Sequence, residues 1–328
     1  MKERVLITGA SGFVGYHLII EALQNNLEVY AAIRKSSSVD HLKGLDVKFV
    51  YLDFDNLNSL VQELREKQYH YIIHAAGALR ALTPVEYNYI NADYTYNLAQ
   101  AAVITRQSFK KFVLISSLAA LGPLNVLDGI ITEDTTPNPI TAYGRSKLLA
   151  EDRLRSFPDL NYTILRPTAI YGPRDKDIFI FLKQVANGIE PYIGHIDQKL
   201  SFIYVSDLAK AAIKALNCGN KKSYILSDGK FYNRYELANF TKSILGVKTV
   251  KFHIPVKFVK MVALVAEKVS YLTKKAPVIN PEKLDELKAV NWSCAIEPAI
   301  NDLSYRPMFN LKDGLTETFA WYKANQWL

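Results

Sequence analysis

The chain has 328 residues, 49% of them hydrophobic, and a formal net charge of +8. That length suits a large domain with a smaller lobe, and the apolar fraction can bury a substantial core. No Lys/Arg block dominates, so the positive balance reads as solubility and attraction for an anionic cofactor, and a nucleic-acid footprint is excluded. The two cysteines, Cys218 and Cys294, lie far apart, make no metal spacing and fit a reducing compartment. The first apolar run begins within a few residues of Met1, which leaves no room for a signal peptide. No run is long and uncharged enough to span a bilayer. A cytoplasmic location is expected, with no metal site, no repeat and no low-complexity segment.

In chain order, a strand over Val5–Thr8 feeds Thr8-Gly-Ala-Ser-Gly-Phe-Val-Gly15, and a helix opens at Tyr16. Backbone N–H groups at such a helix start can hold a pyrophosphate. Gly9, Gly12 and Gly15 remove Cβ atoms that would block the turn, the phosphate and helix–strand packing. The candidate cradle is therefore Gly9, Ser11, Gly12, Phe13, Val14 and Gly15. Its spacing, Gly-x-x-Gly-x-x-Gly, departs from the commonest dinucleotide fingerprint, and an ordinary glycine turn is the competing reading.

A second strand, Val29–Ile33, ends in Arg34, Lys35 and three serines. An NAD-selective site usually carries an acid about 20 residues past the glycine turn. Arginine there can pair with a 2′-phosphate through charge-assisted hydrogen bonds. NADP(H) is favoured, NAD(H) stays open, and a solvated loop arginine is the plain alternative. A third strand, Lys48–Leu52, leads to Asp53 and Phe54, where Asp53 could accept from an adenine amino group or merely cap a loop.

After a helix over Leu57–Lys67 comes a strand over Tyr71–Ala75, closing on His74-Ala75-Ala76-Gly77. Ala75, Ala76 and Gly77 are small enough for a flat cofactor to approach the backbone, and His74 reads as a packed structural residue. A helix over Tyr87–Thr105 precedes a strand over Lys111–Ser116, which ends in Ser116-Ser117. A hydroxyl there could donate to a substrate oxygen.

Further on, Tyr143 and Lys147 stand one helical turn apart on one face. A phenol near its ordinary pKa of about 10 is a poor proton shuttle, and a nearby ammonium should lower that value. The sixth strand is Tyr162–Arg166. Continuous apolar strands alternating with helices predict an α/β fold: a doubly wound parallel sheet with a smaller C-terminal lobe. The stretch Phe202–Leu216 is expected to return to the first domain. The predicted division is residues 1–170 plus about 198–230 for the dinucleotide domain, and about 171–197 plus 231–328 for the lobe.

Within the tail, Phe258, Met261, Val262, Val265, Val269 and Leu272 recur at helical spacing. A core-facing amphipathic helix is the favoured reading. The sharper alternative is a greasy wall edged by Lys257, Lys260 and Lys268 that admits an apolar substrate or touches a membrane.

These pieces together resemble the extended short-chain dehydrogenase/reductases over essentially the whole chain. The matching motifs are the glycine turn, His74–Gly77, Asn91-Ala-Asp-Tyr-Thr-Tyr-Asn-Leu98, Ser116-Ser117, Tyr143…Lys147, Leu165-Arg-Pro-Thr-Ala-Ile-Tyr-Gly-Pro-Arg174 and Phe202-Ile-Tyr-Val-Ser-Asp-Leu-Ala209. The resemblance implies a Rossmann-type domain. It implies Ser117, Tyr143, Lys147 and Asn91 as catalytic residues, with Asn91 near the cofactor. It also implies Pro167, Thr168 and Ile170 in the loop passing the nicotinamide, with Ser116 beside it. Nucleotide-sugar dehydratases of the family carry an Asp-Glu pair after the catalytic hydroxyl, where this chain has Leu118-Ala119. Its epimerases mostly hold NAD with an acid after the second strand, from which Arg34 departs. The tail, from Trp292-Ser-Cys-Ala-Ile-Glu-Pro-Ala299 to Trp327, looks like relatives of dihydroflavonol 4-reductase and 3β-hydroxysteroid dehydrogenase.

The expectation is an NADP(H)-preferring oxidoreductase that interconverts a ketone and a secondary alcohol on a small molecule, which could be apolar. A nucleotide-sugar epimerase with tightly bound NAD is the alternative, and a non-catalytic cofactor sensor is a third. By analogy with relatives, helices Tyr87–Thr105 and Ala142–Phe157 are expected to pair in a homodimer through Ala99, Ala102, Val103, Leu148 and Leu149.

Overall fold

The structure, a computed structural model, describes residues 2–105, 109–274, 276–277 and 279–328. In chain order its elements are β1 (Arg4–Thr8), α1 (Phe13–Gln24), β2 (Glu28–Ala32), β3 (Val47–Val50), α2 (Leu57–Lys67), β4 (Tyr71–His74), α3 (Pro84–Asn88), α4 (Tyr94–Ile104), β5 (Lys111–Ile115), α5 (Ala142–Arg155), β6 (Tyr162–Pro167), β7 (Ala169–Tyr171), α6 (Asp177–Ala186), β8 (Ile189–Ile193), β9 (Lys199–Leu200), β10 (Phe202–Tyr204), α7 (Val205–Lys214), β11 (Lys222–Leu226), β12 (Tyr232–Asn233), α8 (Glu236–Leu245), β13 (Val250–Ile254), α9 (Val256–Thr273), α10 (Pro281–Lys288), α11 (Glu297–Leu303) and α12 (Leu311–Ala324).

Seven strands form one parallel sheet in the order β3-β2-β1-β4-β5-β6-β11. Alternating residues of each strand bury to opposite sides. Val5 and Ile7 pack with Leu18, Ile19 and Ala22 of α1 and with Leu208 and Ala212 of α7. Leu6 and Ile72 pack with Leu60 and Leu64 of α2, Leu98 of α4, and Ala150 and Leu154 of α5. This is the doubly wound Rossmann-type architecture predicted above. The strand order reverses direction between β1 and β4, and ligands in such sheets bind outside that crevice. Register aligns Thr8 with His74 and His74 with Leu114, so the turns after β1, β4 and β5 emerge at one edge.

A second cluster is aromatic. Tyr171, Phe202, Tyr204, Tyr232, Phe319 and Tyr322 are buried together, with α6, α8 and α12 supplying much of the shell. The chain then crosses back: Ile296, Ala299, Leu303 and Tyr305 pack with the sheet side that holds α1 and α7.

Three local expectations need correction. The helix predicted over Tyr87–Thr105 is broken into α3, a π-helical turn at Tyr89–Asp93, and α4. Ala99 and Ala102 are fully buried in the chain's own core, so they cannot face a partner; Val103, Leu148 and Leu149 are half-buried. In α9 the inward residues are Val259, Ala263 and Ser270, while Phe258, Met261, Val262, Val265 and Val269 are exposed, the reverse of a core-facing stripe. Leu272's side chain lies outside the described residues. No helix among the described residues is long and apolar enough to cross a membrane.

Candidate active site

The glycine turn forms a cradle at the head of α1. Gly9 holds a positive φ of 67°, and a Cβ there would sit 2.7 Å from the Ala75 carbonyl oxygen. At Gly15 a Cβ would meet the Gly9 carbonyl at 2.2 Å, so α1 can rest on the turn only without a side chain. Gly12 donates its N–H to Gly9 O at 2.9 Å and is exposed, with no side chain capping the helix and no acid in the first turn. Ser11, Phe13 and Val14 are half-buried around this N-terminus. The first-turn donors and the dipole therefore face the crevice without a protein anion.

The β4 edge closes the other wall. Ala75 and Ala76 both donate to the Thr8 hydroxyl, at 3.2 and 3.0 Å. His74 is fully buried, and burial with the nearby Lys147 charge pushes its pKa down to about 3. It is the packed structural residue expected, and the lowered pKa makes it neutral. Gly77 is exposed, and a Cβ there would lie 2.9 Å from Asn91 Oδ1 and 3.9 Å from Lys147 Nζ.

Arg34 is exposed on the turn after β2, its carbonyl accepting from Ser37 N. The nearest acid, Asp40, is engaged by Lys43 at 2.6 Å. Asp53 accepts from Asp55 N at 3.2 Å, so it does cap a turn. Phe54 stacks on Tyr94 with ring centres 4.7 Å apart. Sequence reasoning assigned no role to Arg174, whose guanidinium lies 4.1 Å above the Tyr16 ring of α1. Its positive φ, and a buried Nε with no hydrogen-bond partner among the described residues, set it apart, and the Gly-Pro-Arg motif was the available signal. His17 bonds the neighbouring Pro173 carbonyl at 3.0 Å.

At the end of β5, Ser117 caps a short 3₁₀ turn and accepts from Ala119 N at 3.1 Å. Its neighbour Ser116 is turned the other way, donating to buried Glu151 at 2.6 Å, so only its backbone can line the crevice. Glu151 in turn holds Arg166 at 2.6 Å behind the sheet. Thr141 caps α5 by accepting from Gly144 N, and Glu282 of α10 accepts from Ala142 N at 2.5 Å. These contacts fix the helix that carries Tyr143 and Lys147.

Lys147 is buried and donates to the Ile115 carbonyl at 2.7 Å. Burial lowers its pKa to about 8, with Glu151 pulling the other way. Tyr143 rises instead of falling. Burial pushes its phenol up to about 12; a hydrogen bond with Ser117 pulls it back, while Glu286 and Tyr87 add to the rise. The expected depression by Lys147 is not seen: Lys147 is not among the groups that shift Tyr143. Asn91, buried in the π-helical turn, accepts from Ala78 N at 2.7 Å and donates to Ser146 Oγ at 2.8 Å. Ser146 donates to the Tyr143 carbonyl at 2.7 Å. Asn91 thus ties the loop after β4 to α5, and its side chain is occupied by protein groups.

Pro167 and Thr168 are buried and Ile170 half-buried, beside the same edge. Thr168 Oγ1 has no hydrogen-bond partner among the described residues. An orphaned hydroxyl, an uncapped helix N-terminus and a cradle that added Cβ atoms would fill are what a nicotinamide dinucleotide requires. The residues present fit that group.

Comparison with known proteins agrees. The ceramide reductase of Caulobacter vibrioides is 27% identical over 99% of this chain and 96% of its own length. The decarboxylating sterol-4-alpha-carboxylate 3-dehydrogenase of Schizosaccharomyces pombe is 26% identical over 97% of this chain and 96% of its own. The solved UDP-glucose 4-epimerase of Thermus thermophilus, in complex with NAD, superposes with a TM-score of 0.79 at 20% identity, covering 98% of this chain and 99% of its own. The sequence profile of the NAD dependent epimerase/dehydratase family matches residues 5–226, and the chain is an enzyme of that family, within the extended short-chain dehydrogenase/reductases.

Proposed function

We propose that the enzyme interconverts a ketone and a secondary alcohol and prefers NADP(H). The observation that carries this reading is geometric: the Tyr143 phenol is hydrogen-bonded with Ser117, and Lys147, one helical turn on, is held at the end of β5 by the Ile115 carbonyl. A protonated phenol is a donor for an oxygen that gains charge, whereas oxidation would need the phenolate. When bound, the nicotinamide supplies or accepts the hydride at carbon. Tyr143 moves the proton at its hydroxyl, Ser117 orients the substrate oxygen, and Lys147 holds positive charge behind Tyr143. Lys147 also offers an ammonium to ribose hydroxyls. Leu118 and Ala119, both buried, stand where elimination chemistry would need an acid and a base.

Arg34 supports the NADP(H) preference. An apolar substrate is supported by two near-full-length relatives, a ceramide reductase and a sterol-carboxylate dehydrogenase. The division into a dinucleotide domain and a substrate lobe, and a homodimer through the exposed sides of α4 and α5, belong to the same reading. Light scattering showing only monomer at micromolar protein would remove the dimer. The epimerase alternative draws on the fold-level likeness to a UDP-glucose 4-epimerase that binds NAD. Arg34 argues against it.

Tyr143→Phe tests the assignment. It removes the transferable proton and keeps the ring, so kcat should fall at least ~10²-fold while cofactor affinity changes little. Near-normal turnover in this variant would show that Tyr143 is not the donor.

A further inference from the structure

Helix α9 presents its apolar side to solvent. Phe258 and Met261 are each 54% exposed and Val265 57%, with Val262, Leu264 and Val269 exposed beside them. Lys257, Lys260 and Lys268 line a shallow groove with Met261, Leu264 and Val265. The helix has one acid, Glu267, which is half-buried toward the inner side that carries Val259, Ala263 and Ser270. The outward face is therefore apolar in the middle and purely cationic at its edge.

A contiguous apolar patch of this kind marks a surface that something covers. The charge pattern selects the occupant. A second copy of this helix face would bring lysines against lysines, since the one acid of α9, Glu267, lies toward its inner side. An anionic lipid surface satisfies both features, with acyl chains under the apolar stripe and phosphates against the ammonium groups. The helix does not cross a bilayer by length and hydropathy, which leaves an orientation in the plane of the interface.

We propose that α9 docks this enzyme onto an anionic membrane surface, with Phe258, Met261, Val265 and Val269 inserted and Lys257, Lys260 and Lys268 at the headgroups. The inference is independent of the reaction assigned above. It has a geometric consequence for the site: α10 packs against α9, and its Glu282 binds the N-terminus of α5, so α10 links the docked helix to the helix that carries Tyr143.

Flotation of the full chain with phosphatidylcholine vesicles, with and without phosphatidylglycerol, tests this. Binding is expected only to the anionic vesicles and should weaken with salt. Replacing each lysine by Gln should lower it about fivefold. Val265→Asp should lower it on the order of tenfold or more. Circular dichroism and cofactor affinity should be unchanged in all variants. The proposal is overturned by equal or absent binding to the two vesicle types, or by binding that survives Val265→Asp. It is also overturned if Val265→Asp turns a dimer into a monomer in light scattering, because a second copy then covers the face.

Discussion

The Thr8 hydroxyl lies 2.7 Å from Nδ1 of His74 while accepting N–H bonds from Ala75 and Ala76. With two donors already pointing at it, the hydroxyl is best placed to give its single hydrogen to Nδ1, although Nε2 then has no hydrogen-bond partner among the described residues. His74 is therefore neutral with its proton on Nε2, in keeping with its depressed pKa. One side chain thus joins β1 to β4 at the point where the strand order reverses.

Thr8→Val keeps the shape and removes that junction, leaving buried N–H groups and a ring nitrogen without partners. Stability should fall by about 1–3 kcal/mol, and cofactor affinity should fall with it. Thr8→Ser should retain most of both. Urea denaturation and cofactor titration of the two variants measure this; equal behaviour of Val and Ser would show that the hydroxyl does nothing.

Gly12 and Gly15 should separate binding from folding. At Gly15 a Cβ meets backbone at 2.2 Å, so Gly15→Ala should unfold at markedly lower temperature. At Gly12 the nearest atom is 3.2 Å away and φ is −84°, so Gly12→Ala should fold. Its methyl group would stand over the exposed N-terminus of α1 and lower cofactor affinity. Thermal melts with and without cofactor distinguish the two; a Gly12→Ala variant with wild-type affinity would mean that phosphate does not approach there.

Lys147 should set an alkaline limit on activity. Its pKa of about 8 means that the ammonium is present below pH 8 and lost above it. If that charge supports Tyr143, kcat/KM for reduction is flat up to about pH 8 and then falls tenfold per unit. The linkage to stability has the opposite sense. The unfolded chain keeps this proton up to the ordinary lysine value of 10.5, so between about 8 and 10.5 it binds more protons than the native state. This group's contribution to stability therefore rises with pH over that window. A pH–rate profile with no break near 8 would show that the ammonium is not used.

Arg34 should select the cofactor. A charge-assisted bond to a 2′-phosphate contributes about 1.5–3 kcal/mol, or about 10- to 150-fold in affinity. Arg34→Asp should weaken NADPH binding by that order. Equal dissociation constants for NADPH and NADH in the wild type would leave the arginine with no selective role.

Much of this was legible in the chain, for reasons visible at particular residues. Most of the sheet's strands are buried end to end or nearly so, and their apolar runs carry that signal; Lys48 and Phe49 of β3 are exposed at the sheet edge and still lie in a strand. The glycines of the turn announce a backbone that tolerates no Cβ. The break near Asn91 was not legible, because a π-helical turn shifts the helical period by one residue without Gly or Pro to mark it. Nor was the direction of the α9 stripe, because periodicity says that a helix has an apolar face, not which way that face points. The opposite directions of Ser116 and Ser117 follow from strand alternation, yet only the position of Glu151 shows which hydroxyl it claims. Arg174 escaped because stacking on Tyr16 joins residues from distant parts of the chain.

On the proposed function, hydride passes between the bound nicotinamide and a substrate carbonyl with net change of the cofactor. NADPH carrying deuterium at its hydride carbon, supplied with an apolar ketone, tests it most directly. One deuterium is expected on the carbinol carbon for each cofactor oxidised, and none from the Tyr143→Phe variant on the same timescale. Product formed with no net oxidation of NADPH, by protein that releases tightly held NAD on denaturation, would contradict it.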